Sequence, residues 1–340
     1  MRCVAFQQLP TTNGKIPYIN QVSAVADGII ASTSSNNVFL LDNSNLAIKA
    51  EIGHHQKQIT NTETKKNNFV ATSSLDGAVR VWDLRMSTRT PAQELMAPLP
   101  LLSFDISCDG NFVIAGSEQA QNFSKKKYMF CNKVLDSEAN TAIFFWDVRK
   151  PDFELTSFVE SHSNDITQIK CHPTNPKQFL SASTDGLACL YNFEKTLEEN
   201  DAMVSSCNVN ISIQQAGYFG PDSNYLFCLS DMNTLSLWYE DSTQISNFDS
   251  IINSEQEISS QKSIDYVVSC SFDSNSNNLY LHSGNYDGDV HLSLLYPDRI
   301  SDETTLSAGH SDIVRSVYWD YVNYKAVTGG EDGRICFWSV

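Results

Sequence analysis

Basic side chains are scarce in this sequence. Its 340 residues carry 23 Lys and Arg against 40 Asp and Glu, a formal net charge of −17. Binding nucleic acid through its phosphates needs a clear Lys/Arg excess on some face, so direct nucleic-acid binding is not expected. A broadly basic membrane-surface role is excluded for the same reason. Long apolar runs are missing too. No stretch approaches the ~18 apolar residues of a spanning helix, and the N-terminal M-R-C-V-A-F-Q-Q-L-P lacks the apolar core of a secretory signal. None of the nine cysteines stands in C-x-x-C, and most lie in strand-like apolar runs, such as Cys189 in L-A-C-L-Y and Cys336 in R-I-C-F-W. Buried, reduced thiols are the expectation, and with them a cytoplasmic or nuclear location.

Signatures of catalysis are lacking as well. There is no phosphate-cradling glycine loop, no H-E-x-x-H, no Cys/His set at metal-ligand spacing and no activated-nucleophile motif. The one His pair, His54-His55, is adjacent in sequence. On a strand such neighbours point to opposite faces and make poor co-ligands. No catalytic residue, cofactor or metal site is expected, and an enzyme is the least favoured reading.

What the sequence does have is turn residues and a repeat. Ser and Asn account for 70 positions, while 41% of residues are hydrophobic, enough for a sizeable core between many turns. Four segments share one pattern: T-S-S-L-D-G-A-V-R-V-W-D-L-R (72–85), S-A-S-T-D-G-L-A-C-L-Y-N-F (181–193), S-G-N-Y-D-G-D-V-H-L-S-L-L (283–295) and T-G-G-E-D-G-R-I-C-F-W-S-V (328–340). Each places Ser or Thr four residues before Asp-Gly and a fixed slot six after the Asp. Alternating residues on both sides of Asp-Gly describe a hairpin whose Gly takes positive φ. Three weaker copies fit the same register. The slots then fall at Leu41, Trp82, Trp146, Tyr191, Trp238, Ser293 and Trp338, spaced by 41, 64, 45, 47, 55 and 45 residues. Four of these spacings lie near the ~40–45 of a four-stranded propeller blade, and the two long ones contain insertions.

This pattern resembles the WD-repeat β-propeller family. Trp82-Asp83 and Trp146-Asp147 carry the naming dipeptide, and Gly53-His54, Ser161-His162 and Gly309-His310 look like the Gly-His that opens a repeat. The resemblance covers essentially the whole chain. It implies an all-β, seven-bladed propeller, and it implies hydrogen-bonded tetrads of His, Ser or Thr, turn Asp and Trp. His310, Thr328, Asp332 and Trp338 fit such a tetrad in full; His162, Ser181, Asp185 and Tyr191 fit it with Tyr for Trp. Thr72, Asp76 and Trp82 fit with either His54 or His55: adjacency to Gly53 favours the first, spacing to Ile59 the second. Since the constellation recurs in several blades, it reads as a structural device and not as a catalytic triad. Phrases at 161–176, 201–208, 309–319 and 328–333 resemble one narrower group within the family.

The last repeat stops after its third strand, at Val340, and R-C-V-A-F-Q-Q (2–8) is strand-like. Pairing of this segment with the last blade is expected to close the ring and remove its open edges. Two insertions are expected to rise from one face of a single domain spanning 1–340. The first is 118–140, with Lys125, Lys126, Lys127 and Lys133 against Glu118, Asp136 and Glu138. The second lies in the acidic stretch 241–262, where T-Q-I-S-N-F reads as an outer strand and leaves 248–262 as the insertion.

On that face Arg315, Glu331, Tyr286 and Lys125–Lys127 are candidate partner contacts. Long loops on a rigid scaffold are frequent sites of function. The endings Trp82-Asp83-Leu84-Arg85 and Trp146-Asp147-Val148-Arg149 resemble those of cullin-4 ligase substrate receptors, which would make Arg85 and Arg149 adaptor contacts; the other reading is a local salt link closing the turn. The functional expectation is a non-catalytic scaffold for other proteins, a monomer working within a larger complex.

Overall fold

The Asp-Gly pairs of the four repeat segments make the tight turn expected of them: Gly77, Gly186, Gly288 and Gly333 take φ of 85°, 86°, 92° and 70°, a region open to glycine at little cost. The strands flanking these turns grow into seven four-stranded antiparallel sheets. The computed structural model describes residues 1–11, 14–66, 69–86, 90–120, 129–130, 133–134, 141–249, 251 and 264–339. Blades one to six span 19–54, 59–96, 101–158, 168–208, 213–248 and 266–306, with strands a to d paired in sequence order. All seven slot residues lie on third strands.

The seventh blade takes its a, b and c strands from Val314–Asp320, Lys325–Gly330 and Arg334–Ser339. Its fourth strand is Arg2–Gln8, which pairs antiparallel with Arg334–Ser339, Cys3 opposite Trp338 and Phe6 opposite Cys336. Innermost strands touch their neighbours all the way round, including the first and the last. The seven-bladed all-β propeller and its closing strand are therefore as expected.

The core is divided among the blade interfaces, one cluster to each. Val290, Leu306, Val314, Cys336 and Trp338 fill the gap between blades six and seven; Leu9, Ile19, Ile29, Val327 and Ile335 fill the one between seven and one. A blade is apolar on both faces because both meet a neighbour. Its b and c strands therefore read as continuous apolar runs, such as Phe112–Ser117, buried at every position.

Strand Gln244–Phe248 is the outer strand of blade five, as T-Q-I-S-N-F suggests. Within 118–140 the short strands Met129–Phe130 and Lys133–Val134 pair with each other. Lys125, Lys126, Lys127 and nearly all of 248–262 lie outside the described residues. Blades four and five separate the two insertions along the ring.

The acidic stretch E-K-T-L-E-E-N-D (194–201) runs into a helical turn, Glu199–Ala202, in which Glu199 is only 4% exposed. Its carboxylate accepts the amides of Val159 and Ser161 at 2.6 and 2.8 Å, and the Ser161 hydroxyl as well. Three or more donors on one carboxylate make its burial tolerable.

Candidate partner-binding site

Strand direction alternates within a blade, so the b–c turns and the connections from d to the next a emerge at one end of the ring. The tetrads tie these two kinds of loop together. In blade seven Trp338 Nε1 donates to Thr328 Oγ1 at 2.8 Å, Thr328 Oγ1 lies 2.7 Å from His310 Nε2, and His310 Nδ1 lies 3.1 Å from Asp332. Asp332 then accepts the amides of Ser311 in the incoming loop and Arg334 after the turn, both at 3.0 Å. A buried carboxylate thus locks the rim, and every link ends on a partner. Gly309 belongs to the same device: a Cβ there would lie 2.4 Å from the Trp338 ring.

In blade two the histidine is His55. Its Nε2 lies 2.7 Å from Thr72 Oγ1, its Nδ1 3.2 Å from Asp76, and Trp82 Nε1 donates to Thr72 at 3.1 Å. Gly53, at φ 44°, packs under Trp82 as Gly309 does under Trp338, and one additional residue, the exposed His54, separates it from the tetrad. Spacing to Ile59 is the better guide because it counts from the strand that fixes the register.

Blade four holds His162, Ser181 and Asp185 in the same chain, at 2.7 and 3.1 Å. Tyr191 fills the slot as a ring stacked on Phe179 (4.7 Å), and its hydroxyl finds no hydrogen-bond partner among the described residues. The expected tetrad is therefore a triad with an aromatic plug.

The two histidines differ in charge balance. Burial lowers His55, and Arg80, whose Nη1 stands 2.7 Å from its Nδ1, adds to this against the pull of Asp76. Burial opposes protonation of His162 too, but the Asp185 bond and nearby Cys189 outweigh it and hold the imidazole up at about 9. The position four after the turn Asp, Arg80 in one blade and Cys189 in the other, makes the difference.

Within this rim opens the mouth of the central channel, a cavity of about 540 Å³ lined by Tyr286, Arg315 and Glu331 together with Tyr266, Asp231 and Asn233. Arg315 Nη2 lies 2.5 Å from Glu331 Oε1, and its guanidinium carbon 5.7 Å from the Tyr18 ring centre. Tyr286 is 62% exposed, its amide held by Asp265 at 2.9 Å and its ring 6.1 Å from that of Tyr266. Burial pushes the Tyr266 hydroxyl up to about 12, and that oxygen accepts the Val314 amide at 2.8 Å. The three expected contacts outside the insertion thus meet at one cavity. Asp231, Tyr266 and Tyr18 were not expected. Asp231 could have been found, since it stands seven before Trp238 as Glu331 does before Trp338 and Tyr286 before Ser293.

At the opposite end Arg85 clasps Asp83 (2.9 and 2.8 Å) and Arg149 clasps Asp147 (2.8 and 2.6 Å). Both are two-pronged local salt links, with the guanidinium side chains 60% and 65% exposed. Bonding from Arg149 lowers Asp147 to about 2. Between blades two and three a cavity of about 350 Å³ opens beside them, lined by Phe69, Val81, Ile106, Cys108 and Val148, with Arg85 5.3 Å above the Phe69 ring centre.

Among the described residues no three His, Cys, Asp or Glu side chains gather as metal ligands, eight cysteines are unbridged, and no helix is long and apolar enough to cross a membrane.

The family model for the WD domain, G-beta repeat, matches residues 50–83, 153–192 and 302–339. Those windows contain the histidines, turn aspartates and slot residues of blades two, four and seven. The chain is similar to the WD repeat-containing protein 89 homolog of Dictyostelium discoideum, 28% identical over 325 residues that cover 95% of this chain and 82% of that protein. Similarity to the WD repeat-containing protein GTS1 of Arabidopsis thaliana is also 28%, covering 96% and 82% of the two chains. An uncharacterized WD repeat-containing protein of Schizosaccharomyces pombe is 21% identical over 94% of each. None of these names denotes an enzymatic activity.

Proposed function

We propose that this WD-repeat β-propeller is a non-catalytic scaffold that holds peptide segments of other proteins at its channel mouth. The observation that carries the reading is the convergence of Tyr286, Arg315 and Glu331 on one cavity, inside a rim whose turns are fixed by buried hydrogen-bond chains. A preorganised rim loses little freedom on binding, and exposed Tyr and Arg are the residue types that supply binding energy at interfaces. Eight unbridged cysteines support action in a reducing compartment, cytoplasm or nucleus.

The test is quantitative affinity capture from cell extract with wild type, a Tyr286→Ala, Arg315→Ala variant and an Arg85→Ala, Arg149→Ala variant. Loss of the same partners only in the first variant is expected; an unchanged partner set in that variant contradicts the reading.

A second reading has its own support. The Asp83–Arg85 and Asp147–Arg149 clasps repeat on adjacent blades with exposed guanidiniums beside an apolar cavity. That arrangement suits docking of a cullin-4 ligase adaptor on the opposite end, with the channel mouth left for substrate.

A further inference from the structure

The channel mouth already holds one cation, the chain's own. The guanidinium of Arg315 sits between the Glu331 carboxylate (2.5 Å) and the Tyr18 ring (5.7 Å to its centre). A second carboxylate and a second phenol ring, Asp231 and Tyr286, line the same cavity. Both are exposed, and no cationic side chain of the described residues meets either one.

The charge around them is one-sided. From the b–c turn of blade five to that of blade seven, the described loops at this end carry Asp231, Asp249, Asp265, Asp287, Asp289, Asp312 and Glu331, besides the buried tetrad Asp332. Arg334, at the start of the blade-seven c strand, donates to the Gly309 carbonyl at 3.3 Å, and Arg315 is the Lys or Arg that lines the mouth itself.

We infer that the mouth takes a Lys or Arg side chain from a basic segment of a partner protein, its cation lodged between the Asp231 carboxylate and the Tyr286 ring. This rests on the reading of the channel mouth as the partner-binding site. A cation over a tyrosine face gains from the ring quadrupole, and a carboxylate on its other side adds charge-assisted hydrogen bonds. An acidic segment would meet like charge at every step of its approach. The net charge of −17 draws a basic segment in and repels an acidic one.

The experiment is selection of displayed random dodecapeptides on immobilised full-length protein. It is run in parallel on wild type, on Asp231→Asn with Tyr286→Ala, and on Asp298→Asn with Glu303→Gln. The last variant removes exposed charges away from the mouth and controls for general attraction to an acidic protein. Wild-type-selected peptides labelled with fluorescein are then titrated by anisotropy. Selected peptides are expected to be enriched in Lys or Arg, and to weaken about five- to tenfold on the Asp231→Asn, Tyr286→Ala variant. The control is expected to bind them within twofold of wild type.

Selected peptides without Lys or Arg enrichment, or cationic peptides that bind both variants equally, overturn the inference. If peptides without cations are selected yet lose affinity on Arg315→Ala, Tyr286→Ala, the channel mouth remains the binding site and only the cationic ligand class falls. If no selected peptide depends on any residue of the mouth, both readings fall. Both mouth positions are exposed, so an unchanged thermal melt will show that either variant is folded.

Discussion

Ser311 and Asp332 belong to different connections of the ring, and the amide of one donates to the carboxylate of the other at 3.0 Å. The loop entering blade seven is thereby fastened to the turn between its second and third strands. The same bond recurs from Ser163 to Asp185 and from Gln56 to Asp76, at 2.9 and 3.1 Å. The carboxylate can accept it while buried because an imidazole and a second amide also face it. The three devices hold much of the rim of the channel mouth in one arrangement.

Replacing Asp332 by Ala therefore strands the His310 ring N–H and two amides. The expected loss is roughly 2–4 kcal/mol in denaturant titration. Thr328→Val, which removes the hydroxyl between Trp338 and His310, is expected to cost about half as much.

Gly309→Ala tests the packing side of the device. The added methyl would meet the Trp338 ring at 2.4 Å, and a cost of about 1–3 kcal/mol is expected, seen as a lower melting temperature. A neutral effect would mean that the indole can shift within its blade interface.

Deletion of residues 1–9 removes the fourth strand of blade seven and leaves Arg334–Ser339 as an open edge. At about 1 kcal/mol net per ladder hydrogen bond, roughly 3–6 kcal/mol should be lost, along with resistance to aggregation. An unaltered chemical denaturation midpoint would contradict closure by this strand.

The histidines predict opposite pH dependences. His162 titrates at about 9 in the fold against 6.5 unfolded, so the fold binds its proton more tightly. Its stabilising contribution is complete below pH 6.5 and is lost as pH rises toward 9. His55 is lowered in the fold, so its contribution is complete above pH 6.5 and declines as pH falls below that value. Imidazole NMR titrations of wild type and Arg80→Met read both. Removing Arg80 should raise His55 and leave His162 in place.

Four of the seven blades were legible because one turn chemistry, Asp-Gly with a slot six residues on, sets the register of the strands around it, and the other three followed from the slot spacing. The channel-mouth residues Arg315, Glu331 and Tyr286 followed from that register. Features set by three-dimensional crowding did not. His55 takes the tetrad place because Gly53 is claimed by the Trp82 ring. Glu199 is buried because amides of the neighbouring blade's outgoing loop converge on it. Tyr191 lacks the indole N–H, and its ring is taken up by stacking on Phe179. Each depends on a partner remote in sequence: the Trp82 ring against Gly53, the Val159 and Ser161 amides on Glu199, and the Phe179 ring against Tyr191.

The ligase reading makes a separate prediction. Arg85→Ala with Arg149→Ala leaves Asp83 and Asp147 without their clasps, but both arginine side chains are mostly exposed. A melting temperature within a few degrees of wild type is expected, together with loss of any co-purifying cullin-4 adaptor. Retention of the adaptor by this variant would remove the opposite end from consideration.

Site-specific photo-cross-linking tests the central claim most directly. A photoreactive amino acid is placed at Met232, 70% exposed on the b–c turn of blade five, and separately at Val322, 69% exposed on the a–b turn of blade seven at the other end of the ring. A scaffold that binds partners at its channel mouth gives partner adducts from position 232 that fade with Tyr286→Ala, Arg315→Ala. Adducts from position 322 alone, or adducts at 232 indifferent to that variant, would contradict the account.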